Sequence, residues 1–158
     1  MKTISLLSTF VLTLLMSISP VYPQQLSSND IVDISASVTK KGVLFLDIKL
    51  EIKDGWHINA DRPLDEYLTP TSVELKDSSL FSASKIEFPL PEIVRLGFSE
   101  TDLALYQGEV NIRVILKPRD DLNNKEIRIE GDVLYQPCND QTCLFPTKKP
   151  FSVLFKPD

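Results

Sequence analysis

Cys138 and Cys143 are the only cysteines of the chain, and four residues separate them in Tyr135-Gln136-Pro137-Cys138-Asn139-Asp140-Gln141-Thr142-Cys143-Leu144-Phe145-Pro146. In an oxidising compartment two thiols this close can join, and the joined pair restrains very little chain. The closure entropy of so short a loop is worth roughly 2 kcal/mol, against about 4.7 kcal/mol for a loop of a hundred residues. A single crosslink placed for stability would do better between distant strands. The spacing therefore leans towards thiol–disulfide exchange, in which a thiolate attacks a partner disulfide and its neighbour resolves the mixed disulfide. An inert hairpin disulfide is the competing reading. No Lys, Arg or His lies between the cysteines and Asp140 does, so nothing in the local sequence makes either thiol strongly acidic.

Other chemistries have less to work with. His57 is the only histidine, which leaves a Cys2His zinc or copper site without a fourth ligand. A soft Cu(I) site on the two thiolates lacks methionine support, because Met1 and Met16 are the only methionines and both lie near the N-terminus. No cofactor and no metal is expected. The net charge of −5 comes without a basic cluster interleaved with aromatics, so nucleic-acid binding is not expected.

The elements that must position the cysteines read as strands. Val32, Ile34, Ala36 and Val38 alternate with polar residues, and after Lys40-Lys41-Gly42 the alternation resumes from Val43 to Ile52. Lys53-Asp54-Gly55 is a turn, Trp56–Asn59 a short strand, and Asp61–Pro70 an irregular stretch. Thr71–Leu75, Lys85–Phe88, Val110–Leu116, Ile127–Ile129, Val133–Tyr135 and Phe151–Phe155 supply further strands, with Ile93–Leu105 a surface loop carrying Gly97 and Phe98. Seven to nine short strands without an amphipathic helix predict an antiparallel β-sandwich of one domain. A thioredoxin fold would need βαβ units and a Cys-x-x-Cys at a helix start, and neither is present.

The N-terminus follows an export plan: Lys2, an apolar run from Ile4 to Ser19, then Pro20 and Pro23. Residues 1–23 are expected to be a signal peptide, 24–30 a loose polar leader, and 31–158 the folded domain. A periplasmic or secreted location follows, with a retained N-terminal anchor as the alternative.

Three stretches resemble the N-terminal periplasmic domain of the thiol:disulfide interchange protein DsbD. They are Asp54-Gly55-Trp56-His57-Ile58-Asn59, Leu105-Tyr106-Gln107-Gly108-Glu109-Val110, and Tyr135-Gln136-x-Cys138-x4-Cys143 with Pro146. The resemblance runs from about Ile31 to Phe155. It implies an immunoglobulin-like sandwich whose pair, Cys138 and Cys143, carries electrons. The donor would be a membrane-embedded thiol reductase, and the acceptors periplasmic disulfide or thioredoxin-like proteins. It also implies that a loop near Phe98 caps the pair with an aromatic ring, and that Tyr106 and Tyr135 stand near the site. Trp56 is expected in the core or lining the site, and His57 as a packed residue or a proton donor near the pair. Two departures are evident: the best-known form has five residues between its cysteines and a proline where Phe145 stands. The chain also ends at Asp158 without a membrane segment, so the electron source is expected to be a separate protein. A secreted binding module with a structural disulfide is the rival function.

Overall fold

Strict alternation of apolar and polar residues builds two long strands, β1 (Val32–Lys41) and β2 (Val43–Ile52), joined by a turn at Gly42. The computed structural model describes residues 26–76, 81–118 and 126–156; the expected signal peptide lies outside them. Nine more strands follow in chain order: β3 (His57–Asn59), β4 (Ser72–Leu75), β5 (Phe81–Glu87), β6 (Glu92–Val94), β7 (Leu103–Tyr106), β8 (Glu109–Pro118), β9 (Ile127–Tyr135), β10 (Pro137–Cys138) and β11 (Thr147–Phe155). Every pairing is antiparallel, in three sheets of order β1-β2-β8-β5, β10-β3-β7-β6 and β11-β9-β4. The expected all-β, immunoglobulin-like sandwich is what the chain forms. No α-helix occurs among the described residues.

The period of two sets the core. Leu44, Leu46, Ile48 and Leu50 of β2 stand directly opposite Leu116, Val114, Ile112 and Val110 of β8, so all eight side chains share one face. They pack against Ile129, Val133, Tyr135 and Phe151 from the β11-β9-β4 sheet and Ile58, Ala104 and Tyr106 from the third sheet. The opposite face of β2 and β8 carries Phe45 opposite Ile115 and is otherwise polar, with Asp47 and Arg113 paired at 2.6 Å and Lys49 bridging Glu51 and Glu109.

Three sequence expectations change. β9 runs unbroken through Gly131, because a Cβ there would lie 2.6 Å from the Phe151 ring and 2.7 Å from the Glu74 carbonyl oxygen. That glycine admits a ring from β11 rather than ending a strand. The stretch Ile93–Leu105 is a loop only in its middle: its ends belong to β6 and β7, and all four residues of β7 are buried. Inner strands covered on both faces lose the alternation that marks half-buried ones. The described end of the leader is held rather than loose. Ser27 and Asp30 form a capping box around a 3-10 turn at Ser28–Asp30, Ser28 Oγ donates to the Phe145 carbonyl at 2.7 Å, and Thr147 Oγ1 donates to Asn29 Oδ1 at 3.0 Å.

Candidate functional site around Cys138 and Cys143

The two-residue strand β10 pairs with β3 so that Pro137 faces Ile58 and Cys138 faces His57. Beyond it the chain reverses within residues 139–142. Asn139 N–H donates to the Thr142 carbonyl at 2.9 Å, and Leu144 N–H to the Pro137 carbonyl at 2.8 Å. These two bonds flank the bridge between Cys138 and Cys143. The cysteines therefore occupy the non-hydrogen-bonded kind of antiparallel pair, where Cα atoms come closest. Their Cα atoms are 4.0 Å apart and a disulfide joins them. Asn139 makes the reversal local: its Oδ1 accepts from the Gln141 and Thr142 N–H groups at 2.9 and 3.0 Å. Four intervening residues suit this turn, which accommodates the shorter spacing.

The two sulfur-bearing residues differ in access. Cys138 is fully buried, whereas Cys143 is partly exposed. Cys138 sits in a small apolar cluster with Leu96, Leu103 and Leu105, against which Leu68, Val94 and Cys143 pack. Leu105 pairs with Asn59 and Cys138 with His57, so these residues share one face of the β10-β3-β7-β6 sheet. Ile58, Ala104 and Tyr106 point the other way, into the main core.

The loop joining β6 to β7 lies on that site face. Leu96 is buried in the cysteine cluster, and a Cβ on Gly97 would come 2.8 Å from the Asp140 carbonyl oxygen, so the loop backbone rests directly on the cysteine turn. Arg95 and Asp102 pair at 2.7 Å across the base of the loop. Phe98 follows the contact residue and remains 43% exposed. Beside Cys143 a cleft of about 670 Å³ opens between Leu26–Ser28 and the stretch from Cys143 to Thr147, with Gln136 also lining it. Phe145 on its rim is 88% exposed.

Gln136 ties the site together. Its Oε1 accepts from Asn59 Nδ2 and from the Thr69 N–H, both at 3.1 Å, and its Nε2 donates to the Leu144 carbonyl at 3.2 Å. The residue two before the first cysteine thus holds the residue just after the second. Asn59 Nδ2 also donates to the Thr69 carbonyl at 3.0 Å, and Thr71 Oγ1 to the Asn59 carbonyl at 2.5 Å, which docks the irregular 61–70 stretch beside the site. Two buried polar atoms among the described residues lack a partner, His57 Nδ1 and Asn59 Oδ1, and both belong to this face.

The structure gathers the expected residues unevenly. Cys138, Cys143 and His57 come together, and the Phe98 loop reaches the cysteine turn. Tyr106 and Tyr135 belong to the main core. The Tyr106 hydroxyl donates to Asp61 Oδ1 at 2.6 Å, and the Tyr135 hydroxyl to the Ser28 carbonyl at 3.2 Å. Burial raises both phenols, Tyr106 with help from its Asp61 bond and Tyr135 to about 12. Trp56 is half-buried against the main core. Leu68, Leu96, Gly97, Asn59 and Gln136 were missed as site residues. Gln136 and Asn59 lie inside the matching motifs, but their bond spans 77 residues, and no local pattern reports it. Among the described residues no group of three or more His, Cys, Asp or Glu side chains is placed to hold a metal. No helix among them is long and apolar enough to cross a membrane.

Comparison with known proteins gives this geometry a family. No curated protein matches the sequence significantly. The fold is similar to the reduced DsbD N-terminal domain of Neisseria meningitidis, at 12% identity and a TM-score of 0.50, covering 79% of this chain and 90% of that one. It is also similar to the N-terminal periplasmic domain of ScsB from Proteus mirabilis, at 16% identity and a TM-score of 0.57. That match covers 84% of this chain and 49% of the other. Both likenesses speak to the fold. The sequence pattern of the family described as thiol:disulfide interchange protein DsbD, N-terminal, matches residues 23–154. With a disulfide-joined pair at the matching motif, the chain belongs to the DsbD N-terminal family of thiol–disulfide interchange domains.

Proposed function

We propose that this chain is a periplasmic electron relay that works through one cysteine pair. A membrane-embedded thiol reductase reduces the Cys138–Cys143 disulfide, and the dithiol then reduces exported disulfide proteins or thioredoxin-like partners. The observation that carries this reading is the asymmetry of the pair: Cys143 is partly exposed beside an open cleft, and Cys138 is buried behind it. Exchange needs one sulfur that a partner can reach and a second that only the intramolecular step uses. Cys143 is accordingly the attacking thiol and Cys138 the resolving one. Phe98 and the loop carrying it limit access to the pair until a partner docks.

Trapping tests the reading. Cys138→Ser leaves the accessible thiol without a resolver, so mixed disulfides should accumulate as reducible high-mass adducts on a non-reducing gel. At least one adduct should contain a membrane protein. Cys143→Ser should trap far less. Homodimers alone in both variants would overturn the relay and leave a binding module with a structural disulfide. A reduction potential well below about −300 mV would point the same way.

A further inference from the structure

Under the relay reading, the buried member of the pair has a problem of protonation. Cys138 must lose a proton to attack the Cys143 mixed disulfide, yet it sits fully buried among Leu96, Leu103 and Leu105. Thiols in apolar surroundings ionise reluctantly. The register supplies a neighbour. His57 is the direct cross-strand partner of Cys138, and side chains so opposed have Cβ atoms about 5 Å apart on one face of the sheet. His57 Nδ1 is buried and has no hydrogen-bond partner. A buried ring nitrogen without a partner is costly in an ordinary packed histidine. Here it belongs to the residue directly opposite the one thiol that must give up a proton.

We infer that His57 is the base for the resolving step, and the acid for its reverse. Cys138 Sγ bonds to Cys143 Sγ, the bond from Cys143 to the partner sulfur breaks, and the partner leaves as a thiolate with the electron pair. The Cys138 proton passes to the His57 ring and then to the leaving sulfur or water. The pair is oxidised to its disulfide and the partner is reduced. In the opposite direction an incoming thiolate attacks Cys143 and Cys138 departs, with the imidazolium returning the proton.

The surroundings favour this assignment over a structural one. Beyond Cys138, the nearest titratable group that the strand registers place on this face is Glu92 on β6, two strands from His57. Its carboxylate is engaged at 2.6 Å by Gln107 Nε2. No competing side-chain base is placed on the sheet next to Cys138. On the segments packed over this face, Glu66, Glu100 and Asp140 are exposed, Asp102 pairs with Arg95, Asp65 accepts from the Tyr67 N–H, and Asp61 accepts from the Tyr106 hydroxyl.

This inference rests on a pair that cycles, and a small reporter disulfide separates the two questions. Reduced full-length domain mixed with excess 5,5′-dithiobis(2-nitrobenzoate) releases one coloured thiolate when Cys143 attacks and a second when Cys138 resolves. His57→Asn should leave the first release unchanged and slow the second at neutral pH by on the order of a hundredfold. In the wild type the second rate should follow an ionisation that His57→Asn removes. In the variant it should rise only at the higher pH of thiol ionisation, and added imidazole should restore part of the rate. His57→Gln provides a second variant if the first is unstable. Equal second-step rates and matching profiles would overturn the role of His57. Failure of the wild-type domain to exchange with any thioredoxin-like protein, despite normal reporter kinetics, would instead overturn the relay.

Discussion

At the scale of single residues, access separates the two cysteines. Cys143 and Cys138 are chemically identical, but Cys143 is partly exposed and Cys138 is fully buried. The three loop residues beside the pair differ in their contacts. Leu96 fills the apolar pocket around Cys138, Gly97 brings the backbone against Asp140, and Phe98 keeps 43% of its surface exposed. If the Phe98 ring shields the pair, Phe98→Ala will speed alkylation of the reduced cysteines several-fold while thermal unfolding stays unchanged. Iodoacetamide kinetics followed by mass shift measure this. Equal rates in the two proteins would leave Leu96 and the loop backbone as the whole of the shield.

At the scale of elements, a short strand and a tight turn set the geometry. β10 contributes two residues, and its hold on β3 is reinforced by Gln136, whose amide reaches three segments. The Gln136–Leu144 bond joins the two legs of the cysteine hairpin independently of the disulfide. Gln136→Ala strands the Thr69 N–H and the Leu144 carbonyl in a partly buried site. A loss of roughly 2–3 kcal/mol of stability is expected, read from urea titration of the oxidised protein. Amide exchange at Leu144 should also quicken. A change within a few tenths of a kcal/mol would mean that water replaces the amide and that the turn holds itself.

At the scale of the whole molecule, the sandwich carries stability and the disulfide adds little. Four facing apolar pairs between β2 and β8, closed by the other sheets, form a core independent of the cysteine cluster. The Cys138→Ser, Cys143→Ser double variant should fold and lose no more than about 2 kcal/mol, measured by urea denaturation against the oxidised wild type. A variant that fails to fold would make the pair a staple. Alkaline pH gives a second whole-molecule readout. Tyr135 is raised from 10.0 to about 12, mainly by burial, with Asp33 and Asp30 adding repulsion. The unfolded chain therefore loses this proton first, so its contribution is complete below about pH 10 and fades as pH climbs towards 12. Tyr135→Phe should lose less stability than the wild type between pH 9 and 11, although it also gives up the bond to the Ser28 carbonyl. Parallel losses in the two proteins would show that Tyr135 ionises alike in the folded and unfolded states.

Much of this protein was legible before any coordinate. Alternation in residues 32–38, 43–52 and 110–116 specified half-buried strands, because a period of two puts one set of side chains on one face. Lack of a helical period excluded a thioredoxin scaffold, and the motif around Cys138 and Cys143 pointed to the family. Local pattern failed where burial is two-sided or contacts are distant. β7 is apolar on both faces, so local pattern reads Leu103–Leu105 as part of a loop. Gly131 is explained only by neighbours from other strands, the Phe151 ring of β11 and the Glu74 carbonyl of β4. Spacing alone left the chemistry of the pair open between exchange and an inert hairpin. Tertiary structure decided which cysteine is buried, which loop residue touches the turn, and which side chain faces Cys138. Those are properties of register between segments up to 81 residues apart, and register is settled by how the sheets close on a common core rather than by neighbours along the chain.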